Sequence, residues 1–194
     1  EFGKNNTGKG KRVLVEFVSA NPTGPLTVGH GRGAMLGDTV SNIMEWNGYD
    51  VEREYYFNNA GRQMRKLGAS VFSRYCELIG EYHKFPEEGY EGQYIYDIAQ
   101  KLVDTHQKSL FNQSDNDIFK ETAENYIFED IKGTLQKLGL KFDSFFNEHS
   151  LYESKAIFDF IDKLKDKDLI YEKDGAIWYA ATNIGSESDR VLIK

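Results

Sequence analysis

Val13-Leu-Val-Glu-Phe-Val-Ser19, Ala20-Asn-Pro-Thr-Gly-Pro-Leu-Thr-Val28 and Gly29-His-Gly-Arg-Gly-Ala34 follow one another without a break. The first stretch is apolar and β-branched, as a buried strand is. The second is a loop stiffened by Pro22 and Pro25, and the third enters a helix through glycines. Free N–H groups and the positive end of the helix dipole make such a helix start an anion site, and glycines let a ligand approach the backbone closely. The expectation is a phosphate site at Gly29–Ala34, with His30 as a donor to phosphate or to developing negative charge.

Working outward, a strand over about 12–19 feeds a helix over about 29–46. The apolar positions Met35, Val40, Ile43, Met44 and Trp46 only roughly follow a helical period, and Asn47-Gly48 ends it. Asp50-Val-Glu-Arg-Glu-Tyr-Tyr-Phe57 is rich in aromatic strand formers, and Asn58-Asn-Ala-Gly61 breaks into a helix reaching about Leu78. A β-α-β unit of this order implies a parallel sheet with a right-handed crossover, its ligand at the carboxyl ends of the strands.

Beyond it, Gly80 to Gln93 reads as a loop, followed by helices over about 94–111 and 116–138. The second of these carries Phe119, Ala123, Tyr126, Ile127, Phe128, Ile131, Leu135 and Leu138 close to helical spacing, a core face rather than a ligand box. Ser150-Leu-Tyr-Glu153 has the capping-box pattern and predicts a helix from there to about Lys165. Leu169-Ile-Tyr171 and Ala176-Ile-Trp-Tyr179 flank Lys173-Asp-Gly175 as a hairpin. The chain starts without Met and stops after strand-like Arg190-Val-Leu-Ile, so it is read as a piece of a larger protein.

A chain of 194 residues, 40% hydrophobic and 14% aromatic, can bury a sizeable core. No apolar run approaches the roughly 18 residues of a membrane span, and the first residues do not resemble a signal peptide. Cys76 is the only cysteine, which rules out an internal disulfide and fits a reducing cytoplasm. His83, His106 and His149 lack zinc spacing with Cys76, so no protein-bound metal is expected.

The net charge of −7 is uneven. Residues 1–75 carry ten Lys/Arg against seven Asp/Glu, whereas residues 76–130 carry four against thirteen, so the second block is a poor match for a phosphate backbone. Lys4 to Arg12 is basic and Gly-rich, a solvated lead-in or an RNA contact. Arg62, Arg65, Lys66 and Arg74 leave the same two readings open, a solvated helix face or an RNA contact.

Gly29-His-Gly31-Arg-Gly-Ala34 satisfies the loose dinucleotide pattern G-x-G-x-x-G/A, and Glu52 and Glu54 lie about twenty residues on, where a ribose-binding acid would be wanted. The long loop ahead of Gly29 argues against it, because that fingerprint needs its glycines in the first tight turn. A nicotinamide-dependent oxidoreductase domain therefore stays a minor alternative.

Val15 to Ala34 closely resembles the start of the catalytic domain of class I arginyl-tRNA synthetases. Val28-Gly29-His30 falls on the last three positions of the class I His-Ile-Gly-His motif. Tyr55-Tyr-Phe-Asn-Asn-Ala-Gly61 resembles the family's second strand and turn, and Asp189-Arg-Val-Leu-Ile-Lys194 the segment returning to the second half of the fold. The resemblance implies an α/β chain forming the first half of a Rossmann-like (HUP-type) nucleotide-binding fold with a mainly helical insertion. Residues 1–80 would be the first half of the core, 81–150 the connective insertion and 151–194 the return segment.

By the same resemblance, the whole enzyme activates L-arginine with ATP, Mg2+ being the nucleotide's counter-ion, and passes the arginyl group to tRNA(Arg). It would be a cytoplasmic monomer without membrane attachment. Glu16, Ser19, Ala20, Asn21 and His30 match arginine-binding positions; Thr27, Gly29, His30, Gly31 and Gly33 match the ATP site. His30 and Thr27 stand at the catalytic motif positions, with Thr27 in place of the first histidine. From the residues alone, Glu16 mid-strand needs a partner, either a cationic substrate or a structural ion pair, and His30 is either catalytic or a helix cap. Nothing resembles a Lys-Met-Ser-Lys-Ser loop, so the 194 residues by themselves are expected not to charge tRNA. The alternative is a stand-alone synthetase-like arginine- or nucleotide-binding module.

Overall fold

The computed structural model describes residues 2–114 and 117–193. Two short sequence-predicted positions, Asn116 at the start of a helix and Lys194 at the end of the returning segment, lie outside the described residues.

The elements run β1 (Arg12–Glu16), α1 (Val28–Trp46), β2 (Asp50–Phe57), α2 (Gly61–Leu78), α3 (Gln93–His106), α4 (Ile118–Lys137), β3 (Ser144–Asn147), α5 (His149–Glu153), α6 (Ala156–Lys165), β4 (Ile170–Lys173), β5 (Ala176–Tyr179) and β6 (Arg190–Ile193), with a 3-10 turn at Ala181–Ile184 before the last strand. They divide into two compact units, one up to Glu148 and one from His149 onward.

In the first unit β1, β2 and β3 form a parallel sheet in that order, with Glu16 opposite Glu54 and Phe57 opposite Asn147. The parallel β-α-β unit is as the sequence predicts. The strand Ser144–Asn147 is not: it returns to the sheet after α4, in a stretch read from sequence as helical insertion. Its Phe145 is what holds it, stacking on Tyr55 at 5.3 Å beside Phe142 and Phe128. Helices α2, α3 and α4 pack on one another around Leu67, Val71, Ile98, Phe119 and Ile131, all essentially inaccessible to water.

Helix α1 lies on the sheet through small residues. Its buried positions are Ala34, Gly37 and Ser41, whereas Met35, Val40, Ile43 and Trp46 are exposed and Met44 is half-buried, so the apolar positions that only roughly follow a helical period form no buried face. Gly37 is needed where it is, because a Cβ there would overlap the Phe17 ring. Arg53 of β2 ties the helix down by pairing bidentately with Glu45, at 2.6 and 3.0 Å, and by bonding Asn42.

The first strand is shorter than predicted. It ends at Glu16, and the chain then turns through two left-handed residues, Val18 at φ +67° and Ser19 at φ +44°. A β-branched residue there is an outlier costing on the order of 1–3 kcal/mol, which its surroundings must offset. Glu16 consequently stands at a strand end and is exposed, with no ion pair among the described residues. The side chain is open to water, so the desolvation argument for a partner does not apply, and the described residues supply no structural ion pair.

In the second unit, the helix expected over 150–165 is two helices broken at Ser154-Lys155, where Lys155 adopts φ +61°. Ser150 lies inside α5 rather than ahead of it and so cannot be the N-cap that its sequence pattern suggested. The hairpin is as predicted: β4 and β5 pair antiparallel across Asp174 and Gly175, both at positive φ, as a type I′ turn requires.

Candidate active site

A cleft of about 540 Å³ opens beyond the carboxyl ends of β1 and β2, lined by Ser19, Ala20, Asn21, Thr23, Gly24, Pro25, Thr27, His30, Gln63, Tyr90 and Tyr94. It gathers five of the residues singled out from sequence: Ser19, Ala20, Asn21, Thr27 and His30. Gly29, Gly31 and Gly33 lie just past it in the first turns of α1, and Glu16 stands outside its lining at the end of β1.

The His30 wall is built locally. Thr27 is the N-cap of α1, and its hydroxyl accepts from the His30 N–H at 3.5 Å while the His30 ring accepts from the Thr27 N–H at 3.0 Å. The two side chains thus form a capping box in which histidine takes the place of the usual Glu or Gln. The helix-cap role open for His30 from sequence is thus observed. An Nδ1 that accepts from a backbone N–H carries no proton, which leaves the proton of the neutral ring on Nε2. A Cβ at Gly31 or Gly33 would meet nothing within 4 Å. The amides without an intrahelical acceptor are those of the turn just before, at Val28 and Gly29; the Gly31 N–H already donates to the Thr27 carbonyl at 3.0 Å.

The Ser19–Asn21 wall is held from β2. The Tyr55 hydroxyl donates to the Ala20 carbonyl at 2.8 Å and accepts from its N–H at 3.2 Å. Ser19 Oγ accepts from the Tyr56 N–H at 3.1 Å, and Asn21 Oδ1 from the Asn58 N–H at 2.9 Å. The Asn21 amide in turn donates to Gln63 Oε1 at 3.0 Å, while Asn58 donates from its side chain to Glu148 at 2.7 Å. With both ends of its carboxamide engaged, Asn21 has one orientation.

Tyr94 closes the far side by donating to the Thr23 carbonyl at 2.8 Å. Burial, reinforced by Tyr90, pushes its phenol up to about 12, so it stays a donor. Gly24 permits this approach, since a Cβ there would lie 3.1 Å from the Tyr94 hydroxyl. Sequence reading missed Gln63, Tyr90, Tyr94 and Glu148, which sit on other elements and in no motif; the Asn58–Gly61 break just before Gln63 was the one available sign.

Elsewhere three of the four basic residues of α2 are engaged by the protein. Arg62 and Lys66 both pair with Glu88, and the Arg74 guanidinium sits 4.4 Å from the Phe85 ring and 4.6 Å from the Tyr96 ring. A separate cavity of about 440 Å³ in the unit from His149 onward is lined wholly by apolar side chains such as Ile157, Phe160 and Leu192, with no group to do chemistry. Among the described residues no three His, Cys, Asp or Glu side chains gather as metal ligands, and no helix is long and apolar enough to cross a membrane.

Residues 2–194 match the family described as tRNA synthetases class I (R), catalytic domain. The chain belongs to the class I arginyl-tRNA synthetase family. It is 55% identical over its whole length to the arginine–tRNA ligase of Desulfotalea psychrophila and 51% identical to that of Pelodictyon phaeoclathratiforme, of which it covers 35% and 36%. A solved chain from Campylobacter jejuni, assigned as an arginyl-tRNA synthetase, superposes on 98% of it with a TM-score of 0.88 at 36% identity, and 42% of that chain is covered. The chain thus spans about a third of the length of the curated relatives it matches. Family membership also removes the oxidoreductase alternative, in agreement with the geometry: residues 17–27 separate β1 from α1, and Glu52 is engaged by Arg12 at 3.3 Å.

Proposed function

We propose that these residues are the arginine- and ATP-binding front of an arginine–tRNA ligase catalytic domain. The enzyme would join the α-carboxylate of L-arginine to the α-phosphate of ATP with release of pyrophosphate, then transfer the arginyl group to tRNA(Arg). Residues 1–80 form the first half of the core, 81–150 the largely helical connection, from which Ser144–Asn147 rejoins the sheet, and 151–194 the return segment. The whole protein would work in the cytoplasm as a monomer.

What carries this reading is the meeting, in one cleft, of a helix start open to an anion and a strip with one fixed orientation. Glu16 and Asn21 would hold the guanidinium and amino ends of arginine, with Ser19, Ala20 and the His30 ring beside them. An exposed Glu16 is available for a cationic ligand, and no internal partner has to be displaced. ATP, with its Mg2+, would lie along Thr27, Gly29, His30, Gly31 and Gly33. Attack on a phosphate needs alignment and stabilisation of negative charge more than a strong base. The Nε2–H of His30 and the first amides of α1 offer that stabilisation, and Thr27 would contribute by fixing the imidazole.

The test is to titrate L-arginine and, separately, L-lysine into isotope-labelled protein and follow the amides of Ser19, Ala20 and Asn21 by NMR. Weak binding with shifts for arginine alone is expected. Equal shifts with both amino acids, or shifts confined to other regions, would remove the arginine assignment.

A further inference from the structure

We propose that Tyr55 is a positioning residue for arginine recognition, its hydroxyl holding Ser19–Asn21 in a backbone conformation the strip would not keep alone; this rests on the assignment of that strip to arginine. The chain between β1 and the cleft passes through two consecutive left-handed residues, Val18 and Ser19, immediately before Ala20. Such geometry persists where the surroundings over-determine it. The neighbouring bonds from Tyr56 and Asn58 engage the side chains of Ser19 and Asn21. Tyr55 engages the backbone between them, with one oxygen serving both the N–H and the carbonyl of Ala20.

That oxygen is itself fixed by packing. The Tyr55 side chain is fully buried, its ring stacked on Phe145 at 5.3 Å and edge-on to Phe142 at 5.5 Å. Burial pushes its phenol up to about 12, so the hydroxyl keeps its proton. Tyr55 therefore transmits the position of the aromatic core to the residues that face the ligand, without touching the ligand.

Tyr75 supplies a matched comparison. It is equally buried, and its hydroxyl also serves two backbone groups, the Gln107 carbonyl and the Leu110 N–H, about three turns along α2 from Gln63. In the full-length enzyme, Tyr55→Phe, Tyr75→Phe and Asn21→Ala would be compared by aminoacylation kinetics and thermal melting. Tyr55→Phe is expected to raise the arginine KM about fivefold or more while leaving the ATP KM within about twofold. Both tyrosine variants are expected to lower Tm by similar amounts, with the arginine KM unchanged in Tyr75→Phe. If Tyr55→Phe leaves the arginine KM unchanged, or if both tyrosine variants raise it alike, the positioning role is overturned. If Asn21→Ala also leaves the arginine KM unchanged, the strip's assignment to arginine falls as well.

Discussion

The two walls of the cleft are made in opposite ways. The Thr27–Gly33 wall is local: cap, ring and glycines lie within seven consecutive residues, and its groups face open space. The Ser19–Asn21 wall is long-range, its polar atoms held by Tyr55, Tyr56, Asn58 and Gln63, more than thirty residues away in the chain. A local wall can tolerate adjustment of an approaching phosphate, whereas a wall fixed from another strand presents one arrangement to a side chain that must be told from its analogues. Under the proposed function, selectivity would belong to the long-range wall and charge stabilisation to the local one.

The sharpest way to break this contrast is His30→Ala in the full enzyme. Loss of a charge-stabilising donor should cost turnover about 2–4 kcal/mol in activation free energy, measured as kcat, with a smaller change in arginine KM. A variant whose loss lies in arginine KM alone would place His30 on the wrong wall. Next is a pair of glycine substitutions read by chemical denaturation. Gly37→Ala drives a methyl into Phe17, at the root of the long-range wall, and should destabilise by about 1–3 kcal/mol. Gly31→Ala fills space that is open in the protein and should stabilise helix α1 by up to about 1 kcal/mol, yet raise the ATP KM several-fold. An unchanged ATP KM would show that the space beside Gly31 is not where the nucleotide lies.

The smallest effect concerns the tie between α1 and β2. The hydrogen bond from Arg53, seconded by its charge against the opposing effect of burial, holds the Glu45 carboxyl below its ordinary 4.5. The unfolded chain therefore binds this proton first, so the contribution is complete above the ordinary value and is lost as pH falls through the lowered one. Glu45 is 45% exposed, and solvent screening keeps the effect within about 1 kcal/mol. Melting curves from neutral pH to about pH 3 should show a shallower acid loss in Glu45→Gln than in the parent; identical slopes would leave Arg53 no part in acid sensitivity.

The same division between local and long-range decides what could be read from the sequence. Strand β2, helix α1 and the hairpin around Asp174-Gly175 are marked by their own residues, as is the Thr27–Gly33 turn. Ser144–Asn147 was missed because four residues are too few to show a period of two, and pairing with the distant Glu54–Phe57 is what makes it a strand. Val18 and Lys155 carry no turn chemistry, so neither the early end of β1 nor the break before α6 is written locally. Ser19, Ala20 and Asn21 were legible as site residues through resemblance to a family, but the groups that hold them were not, since Tyr94 reaches Thr23 across 71 residues of chain.

Among the described residues strand β1 has a sheet neighbour on one side only, and Arg12, Leu14 and Glu16, which share one face of it, are exposed. A free strand edge is a template on which a second molecule can add its own strand, and charged side chains are the usual deterrent. Arg12 and Glu16 bracket Leu14, so a copy approaching in the register that buries the leucine must also strip water from two ions. In these 194 residues taken by themselves, replacing either charge by an apolar residue would turn this edge into an aggregation site, a colloidal constraint on Glu16 that holds whether or not arginine is present.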